Sequence, residues 1–548
     1  MKKIKVFALL ATLFVGIFSN LFTLVVSAVE PSGDATVTIH KLKNKTGPIV
    51  NTGNELSGFT ASDFLDGITY NVYDVTAAYH TKYNEVYTST TAQAADDAAR
   101  AHVQGTAGHA PTVSGATLKD TKTTANGGAA TFTLPKQSGG KDAVYVFVEQ
   151  PKTGITAAEK NLVLSFPVYQ LNGDGTYTDI ELSTIHLYPK NTTDDITPAK
   201  EITNPNPDAY GRNNYNIGQD IGFKLSTKIP ANIGIKEVDG VTPYYNTFSL
   251  IDTHDRTLTF NPAGYELKVT NEAKETVLTL IESKENAPAD YTIEVGEGQD
   301  TFKVELTQAG INKLAEQGGK TLEFTYTMKL NEFAIIDGPN VNQVTVEYGR
   351  KITDSNGVVT FNDVVTQDGN TTEVYTGGYR FIKTDVSTNK PLAGAEFVVR
   401  DANADNAKYL KIHDTTKEIS WVDTYNAATK FTTGDNGIVD IYGLKYDTYY
   451  LEETKAPTDY VKLSERIPFT VEFNSYLSRI TYEFVPLSLP DESDSDTPTE
   501  FKEHNVPNTP KGFLPSTGGA GIILFVALGA AMVGLAGVYF TSRRKDAK

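Results

Sequence analysis

The chain has 548 residues, no cysteine and a net charge of −18. Without cysteine there is no disulfide, no thiol nucleophile, no cysteine-ligated zinc and no Cys–Gln thioester. The acidic balance argues against nucleic-acid binding, and the length admits three or four domains.

The first 28 residues read as a secretory signal. Lys2, Lys3 and Lys5 precede a long apolar run, and Val26-Ser27-Ala28 supplies small residues for cleavage after Ala28. The exported body then shows short alternating runs between Gly, Pro, Asn and Asp turns, among them "ATVTIHKL", "AVYVFVEQ", "LEFTYTMKL", "NQVTVEYG", "GAEFVVRD" and "RITYEFVPL". This pattern predicts an all-β architecture of tandem sandwiches. Thr91–Ala116 departs from it, being Ala-rich at first, which predicts a short helix, and then Gly/Thr/Ser-rich, which predicts a mobile insertion.

The first domain is expected to span 29–193 and to close on "TIHLYPKN", with Lys190 just after a proline. A lysine at a strand end is ordinarily a solvated edge charge. Strand parity puts Ile185, Leu187 and Asn191 on one side and His186, Tyr188 and Lys190 on the other. Lys41 in "TIHKL" and Glu149 in "YVFVEQP" are the polar residues that could meet Asn191.

A middle domain is expected over 194–377, opening at Lys200 in "PAKEI". Phe248, Leu250 and Asp252 share one strand face, and Asn342, Val344, Val346 and Tyr348 share another. The third domain, 378–510, places Tyr379, Phe381 and Lys383 on one face, Tyr449, Leu451 and Glu453 on a second, and Phe501 and Asn505 on a third. Lysine, glutamate and asparagine buried singly would each cost several kcal/mol. Buried together they permit chemistry. Desolvation lowers the lysine pKa and raises that of the carboxyl. The neutral amine then attacks the Asn side-chain carbonyl, which the protonated acid polarises, and ammonia leaves. The resulting Lys–Asn amide fills the place of a disulfide.

"LPDESDSDTPTE" (489–500) reads as an exposed acidic loop, and "DANADN" (401–406) as a solvent turn lacking the glycine and closing glutamate of a calcium loop. The eight histidines show no metal-ligand spacing and there is no Ser/His/Asp signature, so neither metal nor cofactor is expected. The chain ends with "LPSTG" at Leu514–Gly518, an uncharged stretch from Gly519 to Phe540 long enough to span a bilayer, and a basic tail, 541–548, with Arg543, Arg544, Lys545 and Lys548.

Together these motifs resemble the backbone (major) pilins of Gram-positive, sortase-assembled pili. The pieces that match are LPSTG, the Tyr-Pro-Lys pilin motif and the E-box Y-x-L-x-E-T-x-A-P, met in full from Tyr449 to Pro457. The resemblance implies immunoglobulin-like domains of the collagen-adhesin type with internal isopeptide bonds. In the third domain it makes Glu453 the acid, Lys383 the amine and Asn505 the amide, with Asn508 as the alternative. It implies Lys200, Asp252 and Asn342 for the middle domain. For the first it suggests Lys41, Glu149 and Asn191, although Gln150 stands where the E-box has threonine. It further implies that a pilus-class sortase cuts between Thr517 and Gly518 and joins Thr517 to Lys190 of another copy of the chain. An upstream tryptophan common in the pilin motif is replaced by Glu181. Partners implied in the same way are minor tip and base pilins, the housekeeping sortase with peptidoglycan, and a host-cell ligand. The rival reading is a wall-anchored adhesin or minor pilin that binds a host ligand as a monomer.

Overall fold

The computed structural model describes residues 33–45, 47–157, 160–172, 176–194, 196–237, 239–282, 289–478, 500–512 and 526–536. These fall into two compact units: one holds the described residues up to Ile335 together with Pro339–Tyr375, the other holds Ile336–Gly338 and the described residues from Thr376 on. Sheet pairing within them never crosses between 34–193, 199–375 and 377–508.

In 34–193, strand Asp34–His40 lies between Ala129–Pro135, antiparallel, and Thr184–Leu187, parallel, with Val37 opposite Ile185 and Ile39 opposite Leu187. The facing sheet is built on Thr69–Asp74 and Val144–Glu149. Alternation sends Val37, Ile39, Phe132, Leu134, Ile185 and Leu187 from one sheet into a core shared with Tyr70, Val72, Tyr145, Phe147 and Leu164 from the other. The run "VYVFVE" is apolar throughout because it is covered on both faces. Tyr145 and Phe147 face the sandwich core, while Val144, Val146 and Val148 face two helices.

Those helices are Thr76–Tyr87 and Ala92–Gln104. The second is the expected one. Thr91 caps it by accepting from Ala94 N, and Ala95, Ala99 and Val103 form its buried stripe at i, i+4 and i+8. The first was not expected, since its Thr- and Tyr-rich sequence has weak helix propensity; packing of Tyr79 and Val75 against the sheet outweighs that. Residues 105–109 of the expected mobile insertion are fastened: the Asn161 side chain donates to the carbonyls of Gln104, Thr106 and His109.

In 199–375 a sheet centred on Asp220–Lys228 and Thr321–Leu330 faces a second sheet containing Thr247–His254 and the long hairpin Asn340–Thr353/Val359–Tyr375. Thr321–Leu330 alternates strictly between half-buried and buried side chains. The loop after Glu149 is tied to this hairpin at Asp363. Its carboxylate accepts from Lys152 Nζ (2.6 Å), Thr153 N (2.7 Å) and the Tyr244 hydroxyl (2.6 Å). Burial pushes this carboxyl up, but the Lys152 bond and charge with the other donors bring it below its ordinary value. A lowered pKa means stability present at neutral pH and lost as the group protonates. Asp363→Ala is therefore expected to lower thermal stability by about 1–3 kcal/mol at pH 7. The difference from wild type should shrink at pH 3 in calorimetry.

In the second unit, Gly377–Asp385 pairs antiparallel with Ile438–Leu444 and parallel with Glu503–Asn508. The opposing sheet centres on Glu396–Arg400 and Asp447–Lys455. Phe381, Phe397, Val399, Ile441, Leu451 and Val506 meet between them. "DANADN" forms bends and turns. Of the expected span 519–540, residues 526–536 are helical; no helix among the described residues is long and apolar enough to cross a membrane. The signal sequence, the basic tail and most of the acidic loop lie outside the described residues.

Candidate cross-linking and linkage sites

Among the described residues three buried sets of lysine, acid and asparagine occur, one in each sheet pair. In the first, Lys41 follows strand Asp34–His40, Glu149 ends the doubly covered strand, and Asn191 lies in Lys190–Thr193. Lys41 is fully buried and donates to Glu149 Oε2 at 2.6 Å, where the Tyr70 hydroxyl also donates at 3.0 Å. Asn191 donates its amide to Glu149 Oε1, and its buried side-chain carbonyl oxygen has no hydrogen-bond partner among the described residues. The incomplete E-box thus does not prevent assembly of the set, since Gln150 is not part of it.

In the second set Lys200 donates to both Asp252 Oδ2 and Asn342 Oδ1. The Tyr326 hydroxyl donates to the same Asp252 oxygen, and His254 Nδ1 lies 2.8 Å from the other. Burial lowers the Lys200 pKa to about 8, although Asp252 opposes the shift. The expected rise at the acid is corrected. Burial pushes Asp252 up, but the Lys200 charge and His254 outweigh it and leave it below its ordinary value. Lys200, Tyr326 and His254 are thus the groups within hydrogen-bond distance of the Asp252 carboxylate.

In the third set Lys383 is buried and donates to Asn508 Oδ1 and to the Val506 carbonyl (3.0 Å), with Glu453 Oε1 at 3.5 Å. Asn508 donates to Glu453 Oε1 at 3.0 Å, and Leu463 N donates to Oε2 at 2.6 Å. Burial brings Lys383 to about 8, against the pull of Glu453. Asn505 is a correction. Phe501 and Asn505 do share a face, but it is the solvent face; Val506 and Asn508 point inward. Asn508→Ala is expected to weigh one ammonia more than the side-chain change alone predicts, because no ammonia is lost there, while Asn505→Ala changes the mass by the side chain alone. Intact-mass spectrometry separates the two.

The acid differs with the geometry. Lys41 with Asn191, and Lys383 with Asn508, lie on neighbouring parallel strands of one sheet, and a glutamate reaches over from the facing sheet. In the middle set Lys200 belongs to one sheet while Asp252 and Asn342 sit on adjacent strands of the other, so the shorter aspartate suffices. Sequence reasoning missed His254, Tyr326 and Tyr70. Strand parity alone could have found His254, two residues from Asp252.

Lys190 and Asn191 face opposite ways, as alternation requires: Asn191 is buried, Lys190 half-buried with its Nζ donating to the Gly47 carbonyl. Tyr188 does not face solvent as its parity with Lys190 suggested. It stacks on His40 (centroids 4.7 Å apart) and on Phe59 (5.6 Å), and its hydroxyl accepts from Leu56 N. The segment 47–64 covers that face. Ala28, Thr517 and Gly518 lie outside the described residues.

Comparison with known proteins fits this arrangement. Residues 32–192 match the Gram-positive pilin subunit D1, N-terminal domain; 377–483 match a prealbumin-like fold domain; 507–548 match the LPXTG cell wall anchor motif. Fimbrial subunit type 1 of Actinomyces viscosus is 24% identical over 404 residues, covering 66% of this chain and 67% of that one. The trypsin-resistant surface T6 protein of Streptococcus pyogenes serotype M6 is 27% identical over 205 residues, covering 31% of this chain and 38% of that one. The full-length RrgB pilus protein of Streptococcus pneumoniae shares the fold, with a TM-score of 0.51 at 18% identity over 88% of this chain and 99% of that one. Fold and sorting signal define a cell-wall-anchored protein of the bacterial surface. More particularly, the N-terminal domain of a Gram-positive pilin subunit, the prealbumin-like domain and the LPXTG anchor in one chain support a sortase-assembled major pilin.

Proposed function

We propose that this pilin is the repeating shaft subunit of a covalent pilus, polymerised through Lys190 and Thr517 and braced by bonds Lys41–Asn191, Lys200–Asn342 and Lys383–Asn508. The observation that carries the reading is that one chain matches both a cell wall sorting motif, which would serve as acyl donor, and a pilin N-terminal domain that includes Lys190, which would serve as acceptor. A sortase thiolate attacks the Thr517 carbonyl, the Thr517–Gly518 bond breaks and the Gly518 amine departs. The Nζ of Lys190 on another copy then displaces the thiolate, which forms an amide and frees the enzyme. Such a head-to-tail joint does not close on itself, so it yields an open fibre. Peptidoglycan amine, used by a housekeeping sortase, ends growth at the wall; minor pilins belong to the tip and base, and a host-cell ligand is a further proposed partner.

Inside the fibre the subunit is structural, and its chemistry is confined to itself. Glu149, Asp252 and Glu453 each pass a proton from lysine to the departing amide nitrogen, and one ammonia leaves per bond. The test is peptide mapping of wall extract by mass spectrometry. A branched peptide joining the Thr517 carbonyl to Lys190 Nζ is expected. Its absence from high-molecular-weight material would sink the proposal.

A further inference from the structure

We infer that His254 is a positioning residue for Asp252 in formation of the Lys200–Asn342 bond, an inference that rests on the proposed cross-link. His254 is buried, and both ring nitrogens are engaged. Nε2 lies 3.0 Å from the Gln299 backbone carbonyl, which can only accept. Nε2 therefore carries a proton whatever the charge of the ring. That leaves Nδ1, 2.8 Å from Asp252 Oδ1, to share a proton with the carboxyl.

The consequence is geometric. Asp252 turns about its last side-chain torsion, which is soft. With Oδ1 held by His254, the other oxygen is aimed at Lys200 and at the Tyr326 hydroxyl, beside Asn342. The third set has no histidine and needs none, because Leu463 N holds the second oxygen of Glu453. In the first set Lys41, Tyr70 and Asn191 occupy both oxygens of Glu149. In the middle set, among the described residues, the imidazole takes the place of that backbone donor.

Two substitutions separate the roles of the two nitrogens. In His254→Asn the amide N–H stands where Nδ1 stood and still reaches Asp252. In His254→Gln it stands where Nε2 stood and reaches only Gln299. The full exported body is purified, digested, and the Lys200–Asn342 branched peptide quantified against time. Folding is read from the Lys41–Asn191 branched peptide and a cooperative thermal transition. His254→Asn is expected to cross-link as wild type does, and His254→Gln at least tenfold more slowly. Equal extents in the two variants overturn the inference, whether both are fast or both slow, as does loss of fold in both, which makes the histidine structural. If wild type itself lacks the Lys200–Asn342 peptide, the cross-link reading fails first and the inference with it.

Discussion

Replacing Lys190 with alanine is expected to abolish the ladder of high-molecular-weight species in denaturing gels of wall extract and leave only monomer. The expected loss is complete, because the acceptor is a single amine. Lys190→Arg should fail equally, since a guanidinium stays protonated and is not a nucleophile at neutral pH. The substitution should leave the fold intact: Lys190 is half-buried and faces away from the set that holds Asn191. Intact mass of the variant should therefore still show three ammonias missing. A ladder that persists in Lys190→Ala returns the chain to the reading of a monomeric wall-anchored adhesin or moves the junction to another lysine.

The second large effect is expected at Glu453. Glu453→Ala should restore the mass of one ammonia, apart from the trimmed side chain, and destabilise the second unit most of all. Two costs combine. Lys383 is left buried without its counter-charge, which alone costs about 3–5 kcal/mol. The proposed bond, which closes a loop between residues 125 apart, is also lost, worth about 5 kcal/mol in the loop-entropy account. A fall of the thermal midpoint on the order of 20–40 °C follows, with faster proteolysis. Glu453→Gln keeps the shape but carries no transferable proton, so it should also lack the bond. Full cross-linking in Glu453→Gln would remove the carboxyl from the mechanism.

Much of this was legible in the sequence, for identifiable reasons. The Tyr449–Pro457 motif and the two-residue period place Glu453 inward without ambiguity, because Tyr449 and Leu451 are large and apolar on the same face. The same parity reasoning paired Phe501 with Asn505 correctly and then chose the wrong face. An aromatic ring suggested the core, yet Phe501 is 40% exposed and lies against the Arg380 guanidinium. Only Val506 marked the inner face in "FKEHNVPN". Helix Thr76–Tyr87 was hidden because its partner surface, the outer face of Val144–Glu149, cannot be told from a core strand by hydropathy. The burial of Tyr188 was hidden for a related reason: the covering segment 47–64 is polar and glycine-rich, and reads as exposed loop. The match of Lys41, Glu149 and Asn191, from three distant stretches, follows from the parallel pairing of Leu42–Lys43 with Lys190–Thr193, which no local pattern announces.

That parallel pairing also decides how tension would travel along a fibre. Force arriving through the side chain of Lys190 leaves along the same short strand, Lys190–Thr193, so the rest of the first domain lies off its route. Formed as proposed, the Lys200–Asn342 and Lys383–Asn508 bonds would carry the pull past almost everything between their ends. What they do not bypass is the hairpin from Asn342 to Tyr375, where Asn342 pairs with Thr372 and both free ends lie together. Pulled there, its hydrogen bonds open one pair at a time rather than all at once. In a fibre so braced, this hairpin would be a reserve of slack among the described strands.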